Sequence, residues 1–289
     1  MNKKFGLFVI GFLLLLNIFC WKEVFALSCN DNLKVYFLNV GQGDSAFIKT
    51  PENHQIIIDG GPNSSVLENI FRLIPFWDKT IDLVILTHPD RDHMQGLTEI
   101  LKKYKVDYIL QTGVEKNSDE YNEWIKILEN QKKMGSNIIA VKAGDNIYLG
   151  NVEIKILFPL ENSTEKIIKN SANEDCVVSK LVFVNNSFLF TSDISAKAEK
   201  EIIEKEKNVN ADVLKVAHHG SKYSTSEYFL ANTNFKFAVI SVGKNSYGHP
   251  TPEVLQRLEK FGIYVLRTDM NNNIEFISDG NNIKLLNNN

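Results

Sequence analysis

Two histidines and two aspartates stand within six positions of one another in His88-Pro89-Asp90-Arg91-Asp92-His93. All four side chains can ligate a metal, two through imidazole nitrogen and two through carboxylate oxygen. The apolar run Ile81-Asp82-Leu83-Val84-Ile85-Leu86 leads straight into them, and Gly96 lies just beyond. A buried strand that ends in imidazoles and carboxylates costs free energy unless something charged satisfies them. Divalent cations do that, so the segment reads as the main ligand loop of a metal-dependent hydrolase.

Four further polar clusters also follow strand-like apolar runs, at strand ends where α/β proteins place ligands. In Asn39-Val40-Gly41-Gln42-Gly43-Asp44-Ser45 the glycines suit a close backbone approach to a ligand or a simple hairpin. In Asp59-Gly60-Gly61 the carboxylate either orients a metal ligand from behind or caps a turn. Thr191-Ser192-Asp193 offers a carboxylate able to bridge two cations. Lys215-Val216-Ala217-His218-His219-Gly220-Ser221 is followed by Gly248-His249-Pro250. Adjacent histidines point different ways, so one of His218 and His219 is expected to bind metal and the other to be structural or to contact substrate. His54 receives no role. The absence of any Cys-x-x-Cys argues against a thiolate zinc site.

As a set, in this order and over residues 33 to 286, these segments resemble the metallo-β-lactamase superfamily, and more specifically the soluble domain of ComEC-type DNA-uptake (competence) proteins. The resemblance implies an α+β fold, a four-layer αββα sandwich in a single domain, holding two divalent cations, Zn²⁺ or Mn²⁺, with Mg²⁺ a further alternative. His88 and Asp90 would serve one cation, and Asp92 and His93 the other. Asp193 would bridge them and one of His218 and His219 would complete a site. Asp44 and Asp59 would support the ligands. Two departures from the broad superfamily are shared with the ComEC-type subgroup. Asp90 stands where a second histidine is usual, and no histidine precedes the strand Val177–Val184, where Asn173 and Asp175 stand instead. Both replace imidazole by oxygen, which favours harder ions, while the remaining histidines suit zinc.

The implied activity is that of an exported phosphodiesterase or nuclease acting on DNA or a related phosphodiester through a metal-activated water. Asp92 and His249 are the catalytic candidates, with His249 near the leaving group or a phosphate. Lys222, Lys244 and Ser221 are candidates for substrate contact, and a helix opening near Ser224 could aim N–H groups at phosphate. One rival is hydrolysis of a small ester, lactone, thioester or lactam on the same scaffold. The other is a nucleic-acid-binding module with a degenerate metal site.

The elements that must position these groups can be read from composition and periodicity. The chain has 289 residues, 44% hydrophobic and 23% charged, ordinary for a globular protein. Residues 1–26 stand apart: Lys3 and Lys4, an apolar run from Phe5 to Trp21, then Val24-Phe25-Ala26. This is the pattern of a secretory signal peptide, or of an anchor if it stays uncleaved. The product would be secreted or extracytoplasmic, or membrane-anchored, with no other lipid-embedded domain. Without those residues the net charge falls from −3 to −5, against binding of nucleic acid through bulk charge. Cys29 and Cys176 remain and could pair.

Residues 30–287 are expected to form the hydrolase domain. Strands are expected at Leu33–Leu38, Ser45–Lys49, Gln55–Ile58, Leu83–Thr87, Tyr108–Gln111, Ile138–Val141, Asn146–Leu149, Val152–Phe158, Val177–Val184, Ser187–Thr191, Asp212–Val216, Lys236–Ser241, Tyr264–Arg267, Ile274–Ile277 and Ile283–Leu286. Helices are expected at Ser64–Ile74, Met94–Tyr104, Glu120–Met134 and Ala196–Glu206, with starts at a Ser224–Glu227 capping box and at Thr251-Pro252-Glu253. Leu160 to Asp175 reads as a long loop. Strands interleaved with helices in two β-rich halves predict two packed sheets covered outside by helices.

Overall fold

Side-chain alternation along the strands decides where each face of this chain is buried. A computed structural model describes residues 3–28, 31–161, 167–168, 175–206 and 208–286. The chain opens with helix α1 (Lys3–Ser28), which holds an 18-residue apolar window, Lys4–Trp21, long enough to cross a membrane and wholly unburied. Strands β1 (Leu33–Phe37), β2 (Ala46–Lys49) and β3 (Gln55–Ile58) form an antiparallel meander. Parallel crossovers follow. Helix α2 (Ser65–Leu73) leads to β4 (Thr80–Leu86), and α3 (Arg91–Leu101) leads to β5 (Lys105–Gln111). The short β6 (Glu115–Lys116) and α4 (Asp119–Lys133) lead to β7 (Asn137–Ala140).

The second half repeats the plan. Strands β8 (Asn146–Leu149) and β9 (Val152–Phe158) form a hairpin, and β10 (Ile167–Ile168) pairs with β6. Strands β11 (Val178–Phe183) and β12 (Asn186–Phe190) extend the hairpin. Then α5 (Ala196–Lys205), β13 (Val213–Lys215), α6 (Glu227–Ala231), β14 (Phe237–Ile240), α7 (Pro252–Lys260) and β15 (Tyr264–Arg267) add three parallel strands. After α8 (Thr268–Asn271), β16 (Ile274–Ser278) and β17 (Ile283–Leu286) return to the first sheet beside β1. The sheet orders are β17-β16-β1-β2-β3-β4-β5-β7 and β15-β14-β13-β12-β11-β9-β8.

One core lies between the sheets, built from residues such as Val35, Phe37, Ile56, Ile58, Leu83, Ile85, Phe188, Phe190 and Val213. The alternate residues Ile57, Val84 and Leu86 face outward onto α2, α3 and α4 through Ile70, Leu97 and Trp124. Leu189, Leu214 and Ala238 likewise meet α5, α6 and α7 through Ile202, Phe229 and Leu258. These four layers are the αββα sandwich expected from the sequence.

Three local expectations change. Helix α3 begins at Arg91 rather than Met94, because Asp90 with extended φ −81° and ψ 147° already takes the N-cap position. Asp92 and His93 therefore ride on its first turn. The cap of α6 is Ser226, which accepts from Phe229 N; Ser224 instead donates its hydroxyl to Ile194 O at 2.7 Å. The N–H groups of Thr225 and Ser226, the candidates for a phosphate there, are taken by the carboxylate of Glu199. Finally, β10 places a strand within the expected 160–175 loop, most of which lies outside the described residues.

Backbone seats α3 against the loop after β3 directly. Gly60 N donates to His93 O at 2.7 Å and Gly96 N to Gly61 O at 2.9 Å. A Cβ on Gly96 would collide with the Gly60 carbonyl, and one on Gly60 with the Leu97 amide. An alanine for glycine inside a helix ordinarily stabilises by about 1 kcal/mol. Here Gly96→Ala is expected to destabilise instead, by about 1–3 kcal/mol as overpacking does, read as a lower denaturation midpoint at unchanged slope.

Candidate metal centre

The parallel strands of each sheet end at one edge of the sandwich, where the loops after β1, β3, β4, β12, β13 and β14 converge. Asp92, His93, Asp193 and His219 offer ligand atoms that all lie within 4.8 Å of one another. His93 Nε2 is 3.4 Å from Asp193 Oδ2, and His219 Nε2 is 3.5 Å from the same oxygen and 3.3 Å from Asp92 Oδ2. Asp92 and Asp193 come from opposite sheets, so the sandwich must close before the cluster exists.

Each imidazole is aimed from behind. The His93 Nδ1–H donates to Asp59 Oδ2 at 2.8 Å, and Asp59 is itself held by Thr87 N at 2.8 Å and Thr87 Oγ1 at 2.7 Å. Asp59 thus does touch a ring of the cluster. The His219 Nδ1–H donates to Ser241 O at 2.8 Å, turning Nε2 toward the carboxylates. Such partners fix both tautomer and ring direction. Consecutive left-handed conformations at His218 (φ 50°) and His219 (φ 52°) drive the two rings apart to an interplanar angle of 72°. His219 enters the cluster fully buried; His218 is a third exposed, with Nε2 3.8 Å from Asp193.

His88 and Asp90 stand beside this group. The His88 ring lies 4.1 Å from that of His93, and its Nε2 is 3.7 Å from Asp90 Oδ2. His88 Nδ1 meets Thr87 Oγ1 at 3.1 Å and Ser192 Oγ at 3.2 Å. Lys116 donates to the other Asp90 oxygen at 2.7 Å. A cavity of about 250 Å³ opens over the cluster, walled by Gln42, Asp90, Asp92, Asp193, His218, His219, Tyr247 and His249. Asn245 fastens the loop carrying the last two, donating to His249 O at 2.8 Å and accepting from His249 N at 3.1 Å. Lys222 and Lys244 are exposed and Ser221 is buried, and none of the three lines this cavity. Asn173 and Cys29 lie outside the described residues. Cys176 is a buried thiol whose pKa is pushed up by burial and by Asp193.

Sequence reading quotes Lys215 at the head of the histidine cluster but gives it no role. It follows Val213 on the inward-facing register of β13 and is buried beneath the cluster. Its ammonium ion-pairs with Asp44, donates to Ser192 O at 3.1 Å and sits 3.8 Å from Asp193 Oδ1. A lysine at an inward strand position was the available signal. Asp44, quoted for its glycine-rich loop, is the counter-ion that makes this lysine tolerable.

The residues fit a cation. Among the described residues, Asp44, Asp59, Asp90, Asp92 and Asp193 are five carboxylates facing two ammonium groups, Lys116 and Lys215. Burial favours neutral imidazole, yet the charges of Asp193 and its neighbours raise His93 well above the ordinary range and hold His219 up at about 10. Burial opposes ionisation of Asp92 and Asp193 too, and the adjoining histidines still hold both carboxyls well below the usual range. Burial and His93 lower His88 instead. The pocket thus attracts positive charge, and His88 Nε2, His93 Nε2 and Asp193 Oδ1 are buried there without a hydrogen-bond partner. Lys215→Met would strand Asp44 in this acidic pocket. It is expected to destabilise the fold by about 3–5 kcal/mol, measured by chemical denaturation in chelator.

The sequence profile of the Metallo-beta-lactamase superfamily matches residues 38–244. Among curated proteins, "ComE operon protein 3" of Bacillus subtilis (strain 168) is 35% identical over 263 residues, covering 84% of this chain and 33% of that protein. "Competence protein ComA" of Neisseria gonorrhoeae is 27% identical over 240 residues, covering 82% of this chain and 31% of that one. The chain thus spans about a third of the length of these relatives. Among solved structures, the metallo-beta-lactamase fold protein YhfI from Bacillus subtilis superposes with a TM-score of 0.57 at 14% identity, covering 86% of this chain and all of that one. With the profile spanning most of the domain and the same four layers around the strand-end cluster, the chain belongs to the metallo-β-lactamase superfamily and is similar to competence proteins.

Proposed function

We propose that this protein is an exported, metal-dependent phosphodiesterase acting on DNA or a related phosphodiester. The observation that carries the reading is the cluster of partly exposed Asp92 with buried His93, Asp193 and His219, with unpartnered polar atoms on His93 and Asp193, opening into a cavity walled by His218 and His249. Similarity to competence proteins supports DNA as the substrate class. Residues 30–287 form the hydrolase domain, and residues 1–26 direct export as a signal peptide or hold the protein to the membrane as an anchor.

Asp92, His93, Asp193 and His219 would hold one cation, and His88 and Asp90, sharing Asp193, the other. Bound divalent cations supply Lewis acidity, lowering the pKa of water and offsetting charge on phosphoryl oxygens. Asp59 and Ser241 keep the Nε2 atoms of His93 and His219 aimed at the cluster. Lys215 keeps Asp44 and Asp193 ionised from beneath. His249 is half-buried, and burial together with His218 lowers its pKa. It presents an imidazole at the cavity wall that can hydrogen-bond a phosphoryl or leaving oxygen, and the exposed Tyr247 ring lies 5.8 Å from it. A second reading, hydrolysis of a small ester, lactone, thioester or lactam, is favoured by one feature: no lysine or arginine is among the described residues lining the cavity.

The test uses the full chain stripped of metal and reloaded separately with Zn²⁺, Mn²⁺ or Mg²⁺. Single-stranded DNA, duplex DNA, a nitrophenyl phosphodiester and a nitrophenyl ester are offered to each form. Metal-dependent cleavage of phosphodiesters is expected. Activity confined to the ester would select the second reading, and polyanion binding that survives chelator without cleavage would select a binding module. Asp193→Ala is expected to abolish turnover. His249→Ala should lower it by about 10²-fold, as loss of a proton-transfer group does; an unchanged rate would leave His249 a structural role.

A further inference from the structure

The end of the sandwich opposite the metal centre carries a feature that catalysis does not use. The end of α2 and the turn that leads to β4 expose three large aromatic side chains: Phe71, on the helix, at 51%, and Phe76 and Trp77, in the turn, at 80% and 69%. This exposure is built in. The turn is pinned beneath by Ile74, which is 2% exposed. Asp78 ties it to the sheet, accepting from Thr80 N at 3.0 Å, Thr80 Oγ1 at 2.9 Å and Gln55 Nε2 at 2.7 Å. Phe76 and Trp77 pack edge to face with centroids 4.9 Å apart. The exposed Arg72 and Lys79 flank them. A fastened aromatic tip edged by cations matches a membrane interface, where amphipathic rings settle at headgroup level and basic side chains meet phosphate.

The topology puts this tip at the tethered end. Strands β1, β3, β4 and β5 run in one direction, so Leu33, Gln55, Thr80 and Lys105 begin at one end, and the metal-centre loops leave from the other. Leu33 and Thr80 are three strand spacings apart, about 14 Å. Only residues 29–32 separate Leu33 from the last residue of α1, a step of at most roughly 18 Å. The apolar window Lys4–Trp21 ends seven residues before that, about 10 Å of helix. A bilayer spanned by α1 would therefore lie within reach of the tip, and the seven residues of β4 set the metal centre about 23 Å farther out.

We propose that the end of α2 and the turn to β4 seat Phe71, Phe76 and Trp77 in the interfacial layer of a lipid bilayer, with Arg72 and Lys79 against headgroup phosphates. The metal centre then faces away from the membrane. The proposal takes α1 as an uncleaved anchor and is independent of which bond the metal centre breaks.

The experiment reconstitutes the full chain into vesicles of phosphatidylcholine and phosphatidylglycerol, with or without bromine on the upper acyl chain. Trp77 emission is isolated as the difference between the native chain and Trp77→Phe, which cancels Trp21 and the buried Trp124 and leaves the packed core untouched. The expected result is a Trp77 component that brominated lipid quenches and aqueous iodide does not. A component quenched by iodide and indifferent to bromine would overturn the proposal, and is the result for a tip that stays in water or docks on another protein. Protein that the producing cell releases into the medium with α1 removed, and that does not bind these vesicles, would overturn it as well.

Discussion

Buried negative charge at the junction of two sheets governs this structure. Asp193 is 4% exposed, Asp59 1% and Asp44 5%, so each is largely withdrawn from bulk water. Isolated carboxylates would take up protons in such surroundings. Instead Lys215 supports Asp44 and Asp193 from below, while His93 and His219 close in from the sides. Every other feature of the centre, from the register of β13 to the start of α3, serves to keep those charges opposed. Positive charge remains in deficit even so, and that deficit is what gives a divalent cation a place.

Holding the charges so close costs conformational freedom. Asp59, Ser192, His218 and His219 all adopt positive φ, a region residues other than glycine rarely visit. These positions coincide with the loops that feed the cluster. The strain is opposed by rigid supports: Thr87 and His93 on Asp59, Thr87 and His88 on Ser192, and Ser241 on His219. The backbone contact between Gly60 and Gly96 works in the same direction, because it fixes the height of α3 over β3 and hence that of His93 over Asp59. Structure at this end is over-determined, as a preorganised ligand set requires.

The two ends of the sandwich divide the work. Parallel strands deliver their C-terminal loops to one end, which is acidic, buried and chemically furnished. Their starts lie at the other end, where the chain emerges from α1 and aromatic side chains meet solvent. That polarity follows from the parallel pairing of β3, β4 and β5 and of β12 to β15, whose connections return the chain to one end before each new strand, and it relates the apolar first helix to the direction in which the candidate metal centre faces.

Much of this was legible in the residues themselves. The spacing of His88, Asp90, Asp92 and His93 marked a loop that the fold does bring to the strand-end cluster, and apolar alternation located most strands and the main helices. Two β-rich halves with interleaved helices specified the layers. Other properties depended on distance along the chain being undone by folding. That His219 enters the buried cluster while His218 stays partly exposed follows from the left-handed turn that separates their rings, which no local preference announces. Lys215 stands in sequence at the head of a histidine cluster with no evident role, and only β13 places it between the sheets beside Asp44, 171 positions earlier. Helix α3 started three residues early because Asp90 stands at its N-cap with an extended backbone, its carboxylate engaging Lys116 rather than the helix N–H groups. The glycine-rich stretch before Asp44 and the serine cluster near Ser224 were ambiguous for the same reason: turn chemistry is local, but the partner that occupies a turn is not. Sequence determined which residues could carry charge and where strands would end; only the closing of two sheets decided which charges would meet.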